Sequence, residues 1–113
     1  MSRRKKNFLD YTPVRNPVFA WREEDGTVVV DMVHTGFYAT IAQTLFHRPR
    51  VSHIRLDEYG SFLWRHMDGQ TDVTRLGQLL EAEFGQDAQP LYPRLVTYTR
   101  TLLGNKFITL KEP

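Results

Sequence analysis

The stretch from Leu56 to Gly85, LDEYGSFLWRHMDGQTDVTRLGQLLEAEFG, most constrains what this chain can fold into. Two amphipathic segments are joined by Asp68-Gly69, and each carries its own start signal. Asp57 is placed to cap the first helix, since a short side-chain oxygen can accept from the free amides of the first turn. Tyr59, Phe62, Leu63 and Met67 recur at helical spacing as its apolar stripe, with Trp64 at the margin. Thr71 is read as the cap of the second helix. Its stripe is Val73, Leu76, Leu80 and Phe84, with Leu79 alongside, and Gly85 follows as a left-handed stop. No catalytic constellation lies in or around these segments, so they read as the scaffold of a small binding module.

Upstream, Val18–Glu23 and Thr27–Val33 flank Asp25-Gly26, a type I′ turn signal because both central residues need positive φ. With that turn Trp21 faces Val30, Phe19 faces Met32 and Glu23 pairs with Val28. One face then carries Phe19, Trp21, Val28, Val30 and Met32, so turn and apolar register agree. Phe37, Ile41 and Leu45 predict a short helix within Thr35–Arg48, ended by the restriction that Pro49 places on its predecessor. Val51–Leu56 reads as a strand with Ser52, Ile54 and Leu56 on one face and Val51, His53 and Arg55 on the other. A third long helix starts near Ala88, with Pro90 and Pro93 tolerable only in or before its first turn. It carries Leu91, Leu95, Tyr98 and Leu102 and stops at Gly104-Asn105, before a closing strand over Phe107–Leu110. Hairpin, short helix, strand, three helices, strand is an α+β order. It is winged helix-turn-helix-like, with an N-terminal β-hairpin and a small antiparallel sheet packed on three helices.

At 113 residues the chain is read as a flexible basic arm over residues 1–15 and a single domain over 16–113. Its 15 basic and 13 acidic residues leave a formal charge of +2, much of the excess sitting in Arg3, Arg4, Lys5 and Lys6, as in a solvated tail. There is no cysteine. That excludes disulfides, Cys-based zinc sites and an iron–sulfur cluster held by the chain's own thiolates, and it suits the cytoplasm. No apolar run approaches the roughly 20 residues needed to span a bilayer, and no signal peptide is evident.

Chemistry-bearing clusters are sparse. His34, His47, His53 and His66 lack metal-ligand spacing, and no glycine-rich phosphate loop is present. Asp57 and Glu58 are explained by capping and the helix dipole, and Glu23, Glu24 and Asp25 surround a turn. No catalytic residue, metal or cofactor is expected. As a recognition helix for DNA the third helix offers only Arg94 and Arg100 among threonines, a thin electrostatic footprint. A winged-helix DNA-binding regulator is therefore the alternative, not the leading, reading.

The ordered set Leu56, Asp57, Trp64, Asp68, Gly69, Thr71, Val73, Leu76, Leu80, Phe84, Leu95 and Leu102 resembles the pattern of the PqqD-like family. These are the peptide-binding proteins of pyrroloquinoline quinone biosynthesis and the related RiPP recognition elements. The chain departs from the pattern in Asp57, where Asn is more usual, and in the longer link Gly36–Pro49, marks of a divergent branch. The resemblance implies a non-catalytic adaptor that binds the leader of a ribosomally made precursor peptide by strand addition between a sheet edge and the third helix. Candidate contacts are Val51, His53 and Arg55 on the strand and Arg94, Tyr98 and Thr101 on the helix. The modifying enzyme it implies is a radical S-adenosylmethionine maturase, whose cluster thiolates must lie on the partner. An exposed strand edge also invites a homodimer.

Overall fold

The computed structural model describes residues 7–33 and 51–113. The predicted helix within Thr35–Arg48 lies outside them. The described elements are strands β1 (Thr12–Arg15), β2 (Ala20–Glu24), β3 (Thr27–Val33) and β4 (Val51–Arg55), helices α1 (Glu58–His66), α2 (Val73–Phe84) and α3 (Leu91–Gly104), and strand β5 (Ile108–Lys111). Two small antiparallel sheets and three helices among the described residues make the chain α+β. The chain divides into two compact units, Met1–Asn16 with Phe62–Pro113, and Pro17–Ser61.

The second unit is built on the hairpin. Asp25 at φ 53° and Gly26 at φ 80° supply the two positive dihedrals of the turn. The register is the expected one: Trp21 opposite Val30 and Glu23 opposite Val28. β4 joins the other side of β3, giving the order β2-β3-β4. As the central strand, β3 buries residues on both faces, with Val28, Val29 and Val30 each at most 3% exposed. The apolar face differs from expectation at Trp21, which stays 36% exposed on the edge strand, whereas Phe19 is buried.

The strand-to-helix junction that follows is tightly bonded. The Leu56 amide donates to the Val28 carbonyl at 2.8 Å. The reciprocal bond is replaced by a hydroxyl: Ser61 Oγ accepts from the Val28 amide at 2.8 Å and donates to the Leu56 carbonyl at 3.3 Å. Asp57 Oδ1 accepts from the Gly60 amide at 2.7 Å, as expected of an N-cap.

In the other unit, Leu63, Trp64, Met67, Val73, Leu76, Leu80 and Leu95 are fully buried. Trp64 thus belongs to the core rather than to the margin of its helix. The cap of α2 is Asp72, whose carboxylate accepts from the Arg75 amide at 2.8 Å, and not Thr71. The reason is local. The Asp68 carboxylate accepts from the Gln70 amide and the Thr71 hydroxyl, contacts that hold it below the usual aspartate range, and Thr71 is spent on that turn. α2 and α3 approach closely at Gly77, where an added Cβ would stand 2.8 Å from Tyr92 Cε1.

The segment expected to be an arm is structured from Asn7 onward. A 3-10 turn over Phe8–Asp10 precedes β1, which pairs antiparallel with β5, Thr12 opposite Lys111 and Arg15 opposite Ile108. Its other side is tied to the α1–α2 turn: the Arg15 amide donates to the Met67 carbonyl, the Gly69 amide to that of Pro13 and the Val73 amide to that of Tyr11. Arg15 Nη1 donates to the carbonyls of Trp64 at 2.7 Å and Arg65 at 3.2 Å. A cation there satisfies acceptors in the last turn of α1 and complements the negative end of its dipole. The closing strand spans Ile108–Lys111, one residue later than expected.

Candidate functional site

β4 lies at the edge of the three-stranded sheet. In an antiparallel pair, residues that exchange bonds with the partner alternate with residues whose backbone groups point the other way. The Leu56–Val28 bond sets the phase. Even-numbered β4 residues face β3, so the backbone N–H and C=O groups of Val51, His53 and Arg55 are directed to the outer edge. No described strand pairs with that edge. Val51, His53 and Arg55 are the strand residues singled out in the sequence, and among the described residues no strand takes up their outward main-chain groups.

The side chains of His53 and Arg55 share a sheet face with a charge network. Arg22 on β2 hydrogen-bonds both Glu24 and Asp31. His53 Nδ1 donates to Asp31 Oδ1 at 2.6 Å. Arg55 reaches Glu24 Oε1 at 3.0 Å and the Thr27 hydroxyl at 2.7 Å. Val29 lies between its cross-strand partners Arg22 and Arg55, and is 3% exposed. Long basic side chains flanking an apolar residue can lay their methylene stems along it while the charged ends stay wet.

The network orders the protonation of its acids. Hydrogen bonding from Arg22, with a smaller contribution from His53, holds the Asp31 carboxyl below the usual aspartate range despite some desolvation. Arg22 likewise holds Glu24 low, helped by Arg55, and the two acids raise the Arg22 pKa. Carboxyl groups with depressed folded-state pKa values stabilise the fold above their ordinary range, and that stabilisation is lost as pH falls through it. The sheet is expected to lose thermal stability between pH 6 and pH 3, with the loss setting in near the ordinary carboxylate pKa of about 4. The Arg22→Gln variant should show a smaller loss, and added salt should shrink the difference, because the network lies at the surface, with Arg22 exposed and the two acids half-buried. Melting curves at the two pH values check this; equal losses in the two proteins would remove the network from the acid response.

The other three candidates lie on α3, at the i, i+4 and i+7 spacing of one helix face. Arg94 is half-buried and Nη1 donates to the Asp87 carbonyl at 2.7 Å, closing the 3-10 turn Gly85–Ala88 against the helix. Tyr98 is half-buried and Thr101 exposed, its hydroxyl donating to the Thr97 carbonyl at 2.9 Å. The strand trio and the helix trio belong to different compact units. Among the described residues no group of three or more His, Cys, Asp and Glu side chains could hold a metal ion. No described helix is long and apolar enough to cross a membrane.

Sequence reasoning singled out His53 and Arg55 but not their partners Arg22, Glu24 and Asp31. The signal was present. Once Trp21 is set opposite Val30, Ala20 falls opposite Asp31, and Arg22 becomes the diagonal neighbour of Asp31 on the same face.

The family model for coenzyme PQQ synthesis protein D matches residues 43–108. The chain belongs to the PqqD family. Members of this family are non-catalytic accessory proteins of pyrroloquinoline quinone biosynthesis. The matched segment contains β4, all three described helices and the first residue of β5. The hairpin and β1 lie outside it. Comparison with curated proteins and with solved structures gives no match to the chain.

Proposed function

We propose that this PqqD-family chain is a non-catalytic peptide chaperone that binds the leader of a ribosomally made precursor and presents it to a modifying enzyme. The observation that carries the reading is the outer edge of β4, where alternate main-chain groups, at Val51, His53 and Arg55, face away from β3. Strand addition draws affinity from such groups and specificity from the side chains beside them. His53 and Arg55 would read one face of the added strand. Arg94, Tyr98 and Thr101 are proposed as further contacts of the same peptide. The modifying enzyme is proposed, from the family resemblance, to be a radical S-adenosylmethionine maturase, whose cluster the partner would hold because this chain has no cysteine. The cytoplasm, where the precursor is made, is the proposed compartment. Without peptide, the same edge is open to a second copy of the chain, so self-association should compete with peptide.

Titrating the labelled protein with peptides from short reading frames in its gene neighbourhood tests the proposal. One peptide should bind. N-methylation of its residues one at a time should abolish binding at alternate positions and spare those between. Tolerance of N-methylation everywhere would rule out strand addition. If no peptide binds while a promoter duplex does, with steep salt dependence, a DNA-binding regulator replaces the chaperone.

A further inference from the structure

A second surface, independent of β4, lies within the unit that contains α3. Phe8, Tyr11, Arg100, Leu103, Gly104 and Leu110 line an open groove of about 660 Å³. The four large apolar side chains are half-buried, and Arg100 is exposed. The Arg100 guanidinium sits 5.1 Å from the centre of the Phe8 ring. Among the described residues it has no hydrogen bond or ion pair, and no acid lines the groove. This sets it apart from Arg15, Arg22, Arg55 and Arg94, each of which bonds a carbonyl or a carboxylate.

We propose that this groove docks a segment of a partner protein in which a carboxylate neighbours an apolar side chain. Three features select that occupant. A planar guanidinium held over a ring keeps its N–H edges open, and those edges match a carboxylate in a two-pronged bond. The walls are apolar, so the ligand must also bring apolar surface. The groove is open to solvent rather than enclosed, which suits a segment of a larger partner better than a buried small molecule. The acid would lie on Arg100, and its apolar neighbour against Tyr11, Leu103 and Leu110.

A phage-displayed library of random dodecapeptides, panned on the full chain, provides the probe. Enriched peptides are then measured by fluorescence anisotropy against the native protein, Arg100→Gln and Arg100→Glu, with circular dichroism to establish that the variants fold. The expected result is a class of peptides carrying Asp or Glu beside a large apolar residue. Its affinity should fall on the order of tenfold to a hundredfold in Arg100→Gln, as for loss of a charge-assisted bond, and further in Arg100→Glu. Changing the peptide's acid to its amide should cause a similar loss in the native protein and little in Arg100→Gln. The proposal is overturned if no peptide is enriched, if binding is indifferent to Arg100, or if the amide binds as well as the acid. Peptides that add to β4 would also be enriched, but they would respond to N-methylation and not to Arg100, so the two surfaces are tested separately.

Discussion

Removing residues 1–15 is expected to abolish cooperative folding of the unit that holds α2 and α3. The deletion strips β5 of its only described partner strand and exposes the core that Pro13 helps to fill. It also removes main-chain or side-chain partners of Trp64, Met67, Gly69, Val73 and Thr74. At about 0.5–1.5 kcal/mol net for each bond, the sum is comparable with the roughly 5–15 kcal/mol that holds a domain folded. The milder Arg15→Ala change should cost about 1.5–3 kcal/mol, the range for a hydrogen bond to a charged group, because it leaves two carbonyls of α1 without their cation. Thermal unfolding followed by circular dichroism checks both. An unchanged melting temperature after the deletion would restore the picture of a detachable arm.

The second large effect is expected at Ser61. Its hydroxyl stands in the Val28–Leu56 ladder position and is fully buried. Ser61→Ala leaves a buried amide of β3 without an acceptor, at about 1–3 kcal/mol. A larger apolar replacement adds overpacking. The decisive measurement is hydrogen exchange at the Val28 amide, which should lose protection in Ser61→Ala by roughly tenfold to a hundredfold, the same free energy expressed as an opening constant. Protection equal to that of the native protein would mean that the amide finds another acceptor and that Ser61 is dispensable.

These two sites mark where the sequence was hard to read. Elements with a local signature were legible: the Asp25-Gly26 turn, the Asp57 cap and the stripe Val73, Leu76, Leu80 each declare themselves within a few residues. β1 has no such signature. Thr12–Arg15 contains a proline and no apolar alternation, and it becomes a strand only because residues almost a hundred positions later lie beside it. Trp64 was misplaced because a helix packed on more than one side buries residues that a single stripe would leave out. Thr71 and Asp72 are both good capping residues, and the choice depends on the Asp68 carboxylate, a contact that propensity does not encode. At the candidate site, strand residues could be named from alternation alone. The edge itself could not, because which backbone groups face outward depends on a hydrogen-bonding phase that only pairing with β3 sets.

The β1–β5 pairing also bears on how the molecule comes into being. Thr12 meets Lys111, so this small sheet cannot close until residue 111 has left the ribosome. Closing so long a loop is slow and entropically costly. The β2–β3 hairpin joins neighbours in sequence and can form early. On a growing chain the two hairpin strands are therefore both present well before Thr12–Arg15 has a strand to meet. Any protein that attends this chain during translation meets it in that half-built form.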